Sequence, residues 1–396
     1  MNNPVRRLTI HGMMLQIPYW FGCCTYFAFI VTTLIEHGWA DSSATGAVTA
    51  MAVISMLAQP VGGYISDRFL SEKKLSVLLL VMTTVCILLL PLSLGSGSKV
   101  LVLVNMAGIT VSATQVGGLI DAWIVGLKQE YPSINYGLIR GTGSLAFSVS
   151  AQVAGLATIA FGHSARLWIG GGSVLLAIFA ALTFRPARRD RPTDGKPIRK
   201  LGGKEAFKLV FASKQYKLLL SVSFCLMLSN AAMMTLNQLL IRDFGGTTAQ
   251  TGTATAVMSG SEVPMMFFMA VILKKVGFKR LLLFCSTVYV VRMLVTASVT
   301  TVNGLISTQL MQGLTFAVLV PVAMSYLSRI VDERVRSTAV TTYAAITASL
   351  TGILGNLITS SLLATGFSAQ TALIVFACSA FVGFSLTLYG VLRKIW

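Results

Sequence analysis

The chain has 396 residues, 55% of them hydrophobic and 11% charged, with a formal net charge of +18. A soluble domain carries roughly a quarter charged residues, so a water-facing globule of this length is excluded. Nucleic-acid binding, which the net charge would otherwise suggest, is excluded by position: the basic residues fill short gaps between apolar runs and form no basic domain.

Twelve apolar stretches approach the ~20 residues that a helix needs to cross the hydrocarbon. They are 14–35, 44–66, 75–94, 100–126, 138–161, 167–184, 218–241, 251–273, 281–299, 303–327, 338–361 and 369–391. No alternating barrel pattern appears, so closed helices must satisfy the backbone in lipid. The short gaps make successive helices antiparallel neighbours. The opening MNNPVRRLTIHGMML lacks a small-residue cleavage site and reads as a short lead into the first span, not a cleaved signal. Within that span, Gln16-Ile17-Pro18 precedes Tyr19 and Trp20, which suit either an interfacial belt or a cavity-lining break. Between the first two spans, GWADSSATG forms a turn with Asp41 or Ser42 as the cap. The second span ends in QPVGGYISDR, where Gly62 and Gly63 permit close helix contact. The six cysteines all fall within apolar spans, leaving neither a disulfide framework nor a metal site.

The middle, Arg185 to Lys217, carries eleven of the thirty-one Lys and Arg residues. It divides the chain into two apolar halves, 1–184 and 218–396, joined by a basic linker, 185–217. A short amphipathic helix is expected near its end, with Phe207, Val210 and Phe211 on one face. Counting the gaps, twenty-six basic residues lie on the side of the N-terminus, whereas Lys99, Arg166 and Arg242 lie opposite. The positive-inside rule then places both termini and the linker in the cytoplasm. The turn KKVGFKR at 274–280 repeats the basic character of the turn after the second span. That symmetry fits parallel six-helix repeats.

Four ionisable residues inside the spans carry the functional reading, since each is costly in lipid unless paired or watered. Glu262 and Arg292 lie about eleven residues into the antiparallel eighth and ninth spans, near the midplane at ~1.5 Å per residue. They are expected to pair or to face one cavity. Asp121 and Arg140 are their counterparts near the inner ends of the fourth and fifth spans. Salt bridges that merely pin helices are the alternative for both pairs. Glu262 is the expected proton carrier, with Asp121 sharing that role: burial disfavours a charged carboxylate and a nearby guanidinium favours it. Tyr19, Tyr26, Gln115, Asn230, Asn237, Gln309, Gln312 and Tyr343 could line a path with Arg292 and Arg140, as could Gln152 and Gln238. Each taken singly is more often a helix–helix hydrogen bond.

Six plus six helices, the basic linker and the turn after the second span together resemble the major facilitator superfamily. Gly63, Asp67 and Arg68 match that family's cytoplasmic signature, which implies a gating role. Leu70 replaces its second glycine, and the basic pair is displaced to Lys73 and Lys74. Asp121 in LIDAWIVG, YGLIRGTGS at 136–144, SEVPMMF at 261–267, VVRML at 290–294 and DERVRSTA at 332–339 resemble the branch holding lactose permease and the nucleoside and phenylpropionate symporters. The resemblance implies an all-α membrane protein of twelve helices in two six-helix bundles. Glu262 and Arg292 match the eighth- and ninth-helix members of the lactose-permease pattern. Gln312 and Thr315 stand where its tenth-helix histidine and glutamate belong, so the histidine relay is missing.

The function expected is proton-coupled symport of a sugar, nucleoside or aromatic acid across a bacterial inner membrane. The two buried arginines keep a carboxylate solute in play. The expected partners are a small-molecule substrate, protons and membrane lipid, with the chain acting as a monomer and using no cofactor or metal. Drug efflux by proton antiport is an alternative, although 141–161 lacks the proline of the efflux motif. A membrane receptor or scaffold that moves nothing is another. No GxxxxGK[ST] loop is present for ATP-driven transport, and three histidines offer little for an enzyme.

Overall fold

The computed structural model describes residues 4–68, 70, 72–131, 134, 136–183, 203–331 and 335–396; within helices, the side chains of Asp67, Arg68 and Asp121 and the setting of Gly63 lie outside the described set. Every regular element among the described residues is helical. In chain order they are α1 (Pro4–Phe27), α2 (Ile30–Glu36), α3 (Asp41–Arg68), α4 (Glu72–Gly95), α5 (Lys99–Glu130), α6 (Tyr136–Phe161), α7 (His163–Thr183) and α8 (Gly203–Ala212). The chain continues with α9 (Lys214–Asp243), α10 (Thr248–Val276), α11 (Phe278–Ser298), α12 (Val302–Thr308), α13 (Phe316–Ile330), α14 (Arg336–Ala344), α15 (Thr351–Ala364) and α16 (Ala369–Leu392). Eleven segments among the described residues are long and apolar enough to span a membrane. α10, at 29 residues, also exceeds the ~30 Å hydrocarbon at ~1.5 Å per residue. Most helices start one to four residues before the apolar limits, and polar caps close several of these starts. Ser213 caps α9 by accepting the Tyr216 N–H (3.2 Å), Ser368 caps α16 through Thr371 N–H (3.1 Å), and Thr247 and Gln250 form a reciprocal box on α10. α10 turns into α11 through Gly277 at φ 85°, a conformation that side chains resist.

Three of the expected spans are interrupted. The first breaks at Ala28–Phe29, between α1 and α2, and its helix starts at Pro4, ten residues before the apolar stretch. The tenth tightens into a 3₁₀ turn over Gln309–Leu314. The eleventh widens into a π turn over Ala345–Leu350. α8 is the amphipathic helix expected before the second half, with Val210 buried and Phe207 stacked on Phe211 at 6.0 Å between centroids. Residues 184–202, which hold most of the basic linker, are outside the described set.

Within the first half α1 packs on α6 and α7, and α4 on α5 and α7; in the second, α16 packs on α9 and α11. Among the described residues the halves meet chiefly along two seams, α6 against α10 and α3 against α15. Two glycines allow the first seam to close: a Cβ on Gly252 would lie 2.3 Å from the Ala151 carbonyl oxygen, and one on Gly155 2.9 Å from the Ala249 Cα. Ser148 donates across it to the Ala256 carbonyl at 2.7 Å. These contacts lie toward the end of the bundle remote from both chain termini, the remote end hereafter.

Candidate functional site

Arg292, in the middle of α11, is fully buried. A lone guanidinium there is tolerable only if neighbouring polar groups replace its water. The 3₁₀ turn supplies them. At 3.0 residues per turn, positions three apart eclipse, so Gln309, Gln312 and Thr315 form a row facing α11. One guanidinium nitrogen, Nη2, donates to Gln309 Oε1 at 3.2 Å; the other, Nη1, donates to Gln312 Oε1 and to Thr315 Oγ1 at 3.1 Å. Asn230 Oδ1 on α9 stands 3.5 Å from Nη1. The tight turn is itself made possible by Gly313, where a Cβ would sit 2.3 Å from the Ser261 carbonyl oxygen. The Gly313 N–H instead donates to Ser261 Oγ at 3.0 Å, tying the turn to α10.

That tie sets the position of Glu262, the next residue. Gln312 Nε2 donates to Glu262 Oε1 at 3.0 Å while its Oε1 accepts from Arg292. The expected Glu262–Arg292 contact is thus made through the two ends of one amide and not as a direct ion pair. A reversed amide would turn its NH2 group on the guanidinium, so the two charges fix its orientation. Pro264, two residues on, withholds its helix hydrogen bond from Gly260 and loosens α10 beside the carboxylate.

Glu262 and Gln312 line a cavity of about 280 Å³ together with Trp20, Arg140, Asn230 and Phe147. The Arg140 guanidinium lies 4.6 Å over the Trp20 ring, and Trp20 Nε1 donates to Gln16 Oε1 at 2.6 Å, which holds the indole against the cavity. Trp20 is therefore a cavity residue, not an interfacial belt residue. Gly143 makes room for it: a Cβ there would be 2.5 Å from Trp20 Cδ1. Ser144, Ser259, Met234, Met258 and Phe316 complete the wall. None of these five was named as a path residue from the sequence: Ser144 falls at the end of the 136–144 run, and serine, methionine and phenylalanine in an apolar span look like ordinary packing.

Other expected path residues are placed elsewhere. Tyr19 donates to the Ala113 carbonyl at 2.5 Å and joins α1 to α5 without lining this cavity. Gln115 donates back to the Val111 carbonyl at 3.0 Å and fills the space over Gly62, so it serves the α3–α5 contact. Tyr343 is buried against Ser223 Oγ at 2.8 Å. Asn237 is buried in α9, two turns from Asn230 and outside the cavity. Gln238 accepts from the Thr32 N–H at 3.3 Å, a bond between the halves. Tyr26, 3.5 Å from Thr110 Oγ1, lines a second cavity of about 290 Å³ with Ser55, Thr114 and Ser349. The side chains of Asp121, Asp67 and Arg68 and the setting of Gly63 are outside the described set, and with them the expected Asp121–Arg140 pair and the contacts of the cytoplasmic signature. Arg166, expected in a gap beyond the spans, is instead fully buried in α7, donating to Thr158 Oγ1 at 3.0 Å and to Thr33 Oγ1. Asp41 begins α3, and its carboxylate takes Arg242 from the other half.

Comparison with known proteins agrees with this architecture. A maltose permease of Geobacillus stearothermophilus is 26% identical over 321 residues, 81% of this chain and 79% of that one. An uncharacterized transporter, YwbF of Bacillus subtilis, is 25% identical over 212 residues, 54% of this chain and 51% of that one. The crystal structure of the nucleoside transporter NupG superposes with a TM-score of 0.76 at 15% identity, covering 96% of this chain and 98% of that one. A bacterial homologue of the lysosomal transporter Spinster, inward-facing and unoccupied, gives 0.72 at 12% identity, covering 98% and 97%. The MFS_1 like family model matches residues 26–375. The chain is a membrane transporter and not an enzyme, and it belongs to the MFS_1-like family of the major facilitator superfamily.

Proposed function

We propose that the protein is a proton-coupled symporter of a small glycosyl solute, a sugar or a nucleoside. The observation that carries this reading is the combination of an aromatic face, a guanidinium and a carboxylate on one cavity: Trp20, Arg140 and Glu262. A sugar ring stacks its C–H face on an indole, while its hydroxyls donate to a carboxylate and accept from a guanidinium. The cavity of about 280 Å³ lies at the lower limit of the ~300–1,000 Å³ usual for small-molecule sites, which favours one or two rings over a large amphiphile. The maltose permease relative supports a saccharide.

Glu262 supplies the proton site. A carboxylate at this depth must be neutralised by a proton or held by donors, and Gln312 is the donor that holds it. Solute hydroxyls compete with Gln312 for the same oxygens, so solute binding and protonation are linked. Arg292 acts through Gln312 and does not line the cavity. The two halves, 1–184 and 218–396, rock about this site by alternating access. The distribution of basic residues supports cytoplasmic termini and insertion in a bacterial inner membrane. A monomer suffices, since the site lies within one chain.

Purified protein in vesicles tests the reading. Uptake of radiolabelled maltose, uridine and phenylpropionate is compared under an imposed pH gradient. Accumulation of the sugar or the nucleoside is expected. Glu262→Gln should abolish accumulation but leave exchange of preloaded solute, since exchange requires no net proton release. Accumulation of the aromatic acid alone would refute the glycosyl assignment, and uphill uptake by Glu262→Gln would refute the proton site.

A further inference from the structure

Among the described residues, the ion pair that joins the halves at the remote end, Arg242–Asp41, involves a group that also has a partner on its own half. Arg242, next to last in α9, makes a two-pronged pair with Asp41 of the other half, Nη1 to Oδ1 at 2.5 Å and Nη2 to Oδ2 at 2.6 Å. The same Nη2 reaches Asp243 Oδ1, its chain neighbour, at 2.6 Å, and Nε reaches it at 3.1 Å. Asp41 opens α3, where the unpaired N–H groups of a helix start favour a negative charge. Asp243 closes α9, where the helix end disfavours a carboxylate unless a cation stands beside it. Glu36 follows the same scheme. It accepts from Thr248 Oγ1 of the second half at 2.9 Å and contacts His163 Nδ1 of its own half at 2.9 Å.

We propose that Asp41, Arg242 and Asp243 form an exchange gate at the remote mouth: Arg242 holds Asp41 while that mouth is closed and rests on Asp243 when it opens. The transport cycle requires that these surfaces separate and rejoin. A single ion pair between the halves would leave two charges unpaired at each opening. Here Arg242 keeps Asp243, and Asp41 keeps the start of α3. The gate therefore closes with direction and opens without stranding a charge. The side chains of Arg242, Asp41 and Asp243 are 37%, 35% and 40% exposed, so water assists the exchange and each pair shifts the equilibrium only modestly.

The two carboxylates must then act in opposite directions, which a merely structural cluster would not do. Spin labels on Ser98→Cys and Thr300→Cys, exposed sites at the remote end of either half, report the mouth in the full-length chain in nanodiscs, with exposed Cys378 replaced by serine. Asp41→Asn should raise the ratio of open to closed distances about two- to fivefold, the range of an exposed pair. Asp243→Asn should lower it by a similar factor, because opening now leaves Arg242 without a carboxylate. In an Arg242→Gln background, Asp243→Asn should change nothing. An Asp243→Asn ratio equal to or above wild type overturns the exchange, and an unchanged ratio in Asp41→Asn overturns the gate. The inference rests on the alternating-access reading. The distances are measured without solute, however, so opposite shifts in a protein that moves none of the tested solutes would uphold the gate and sink only the solute assignment.

Discussion

Replacing Gln312 by leucine tests whether one amide couples Arg292 to Glu262. Leucine keeps most of the volume and removes both hydrogen bonds. Arg292 is fully buried, so its lost charge-assisted bond costs ~1.5–3 kcal/mol. Asn230, at 3.5 Å, could take over only by approaching about 0.5 Å toward ordinary hydrogen-bond length. The Glu262 bond faces the cavity, where water substitutes, and its loss costs about 0.5–1 kcal/mol. The total, ~2–4 kcal/mol, corresponds to a melting shift on the order of 4–16 °C at the ~2–4 °C per kcal/mol of a unit of 150–250 residues. Thermal unfolding in detergent, followed by intrinsic fluorescence, measures it. The double replacement Glu262→Gln/Gln312→Glu moves the carboxylate beside the guanidinium. It should restore the melting temperature to within about 2 °C of wild type while leaving uphill transport absent. A Gln312→Leu shift below about 1 °C would mean that Arg292 is satisfied without Gln312, and the coupling through the amide would fall.

Two further outcomes follow from the seams and the ends of the bundle. Gly252→Val places a branched side chain where even a Cβ would be 2.3 Å from the Ala151 carbonyl. Overpacking of about 1–3 kcal/mol against the closed remote end should lengthen the Ser98–Thr300 label distances, and unchanged distances would show that the α6–α10 seam does not govern closure. For orientation, cysteines introduced at Lys214 and Ser164, both exposed, should react differently in intact cells: an impermeant maleimide should modify only the latter. Modification at 214 with the membrane sealed reverses the assigned topology.

The sequence carried most of the fold because the membrane makes it legible. Runs such as 75–94 or 369–391 have one stable form in hydrocarbon, a helix with every backbone group satisfied internally. The observed helices Glu72–Gly95 and Ala369–Leu392 exceed those runs by only a few residues. The same cost rule singled out Glu262 and Arg292, since an ionisable residue in an apolar span demands a reason. Asn230 and Gln312 were identified with them. The linker's amphipathic helix was visible in the spacing of Phe207, Val210 and Phe211, because apolar spacing reports which face must be covered.

What the sequence could not determine depends on contacts between distant segments. Hydropathy does not distinguish an α-helix from a 3₁₀ or π turn, so the breaks at Gln309–Leu314 and Ala345–Leu350 depend on what packs there, for the first the approach of Ser261 to Gly313. Polar side chains such as Tyr19, Gln115 and Tyr343 read alike whether they face a cavity or a neighbouring backbone; only the packed structure commits their hydrogen bonds to Ala113, Val111 and Ser223. Asp41 and Arg242, 201 positions apart, each looked like an ordinary end-of-helix charge. Local sequence fixes the chemistry and helical setting of each side chain, but which groups meet across the seams is set by the packing of both halves at once.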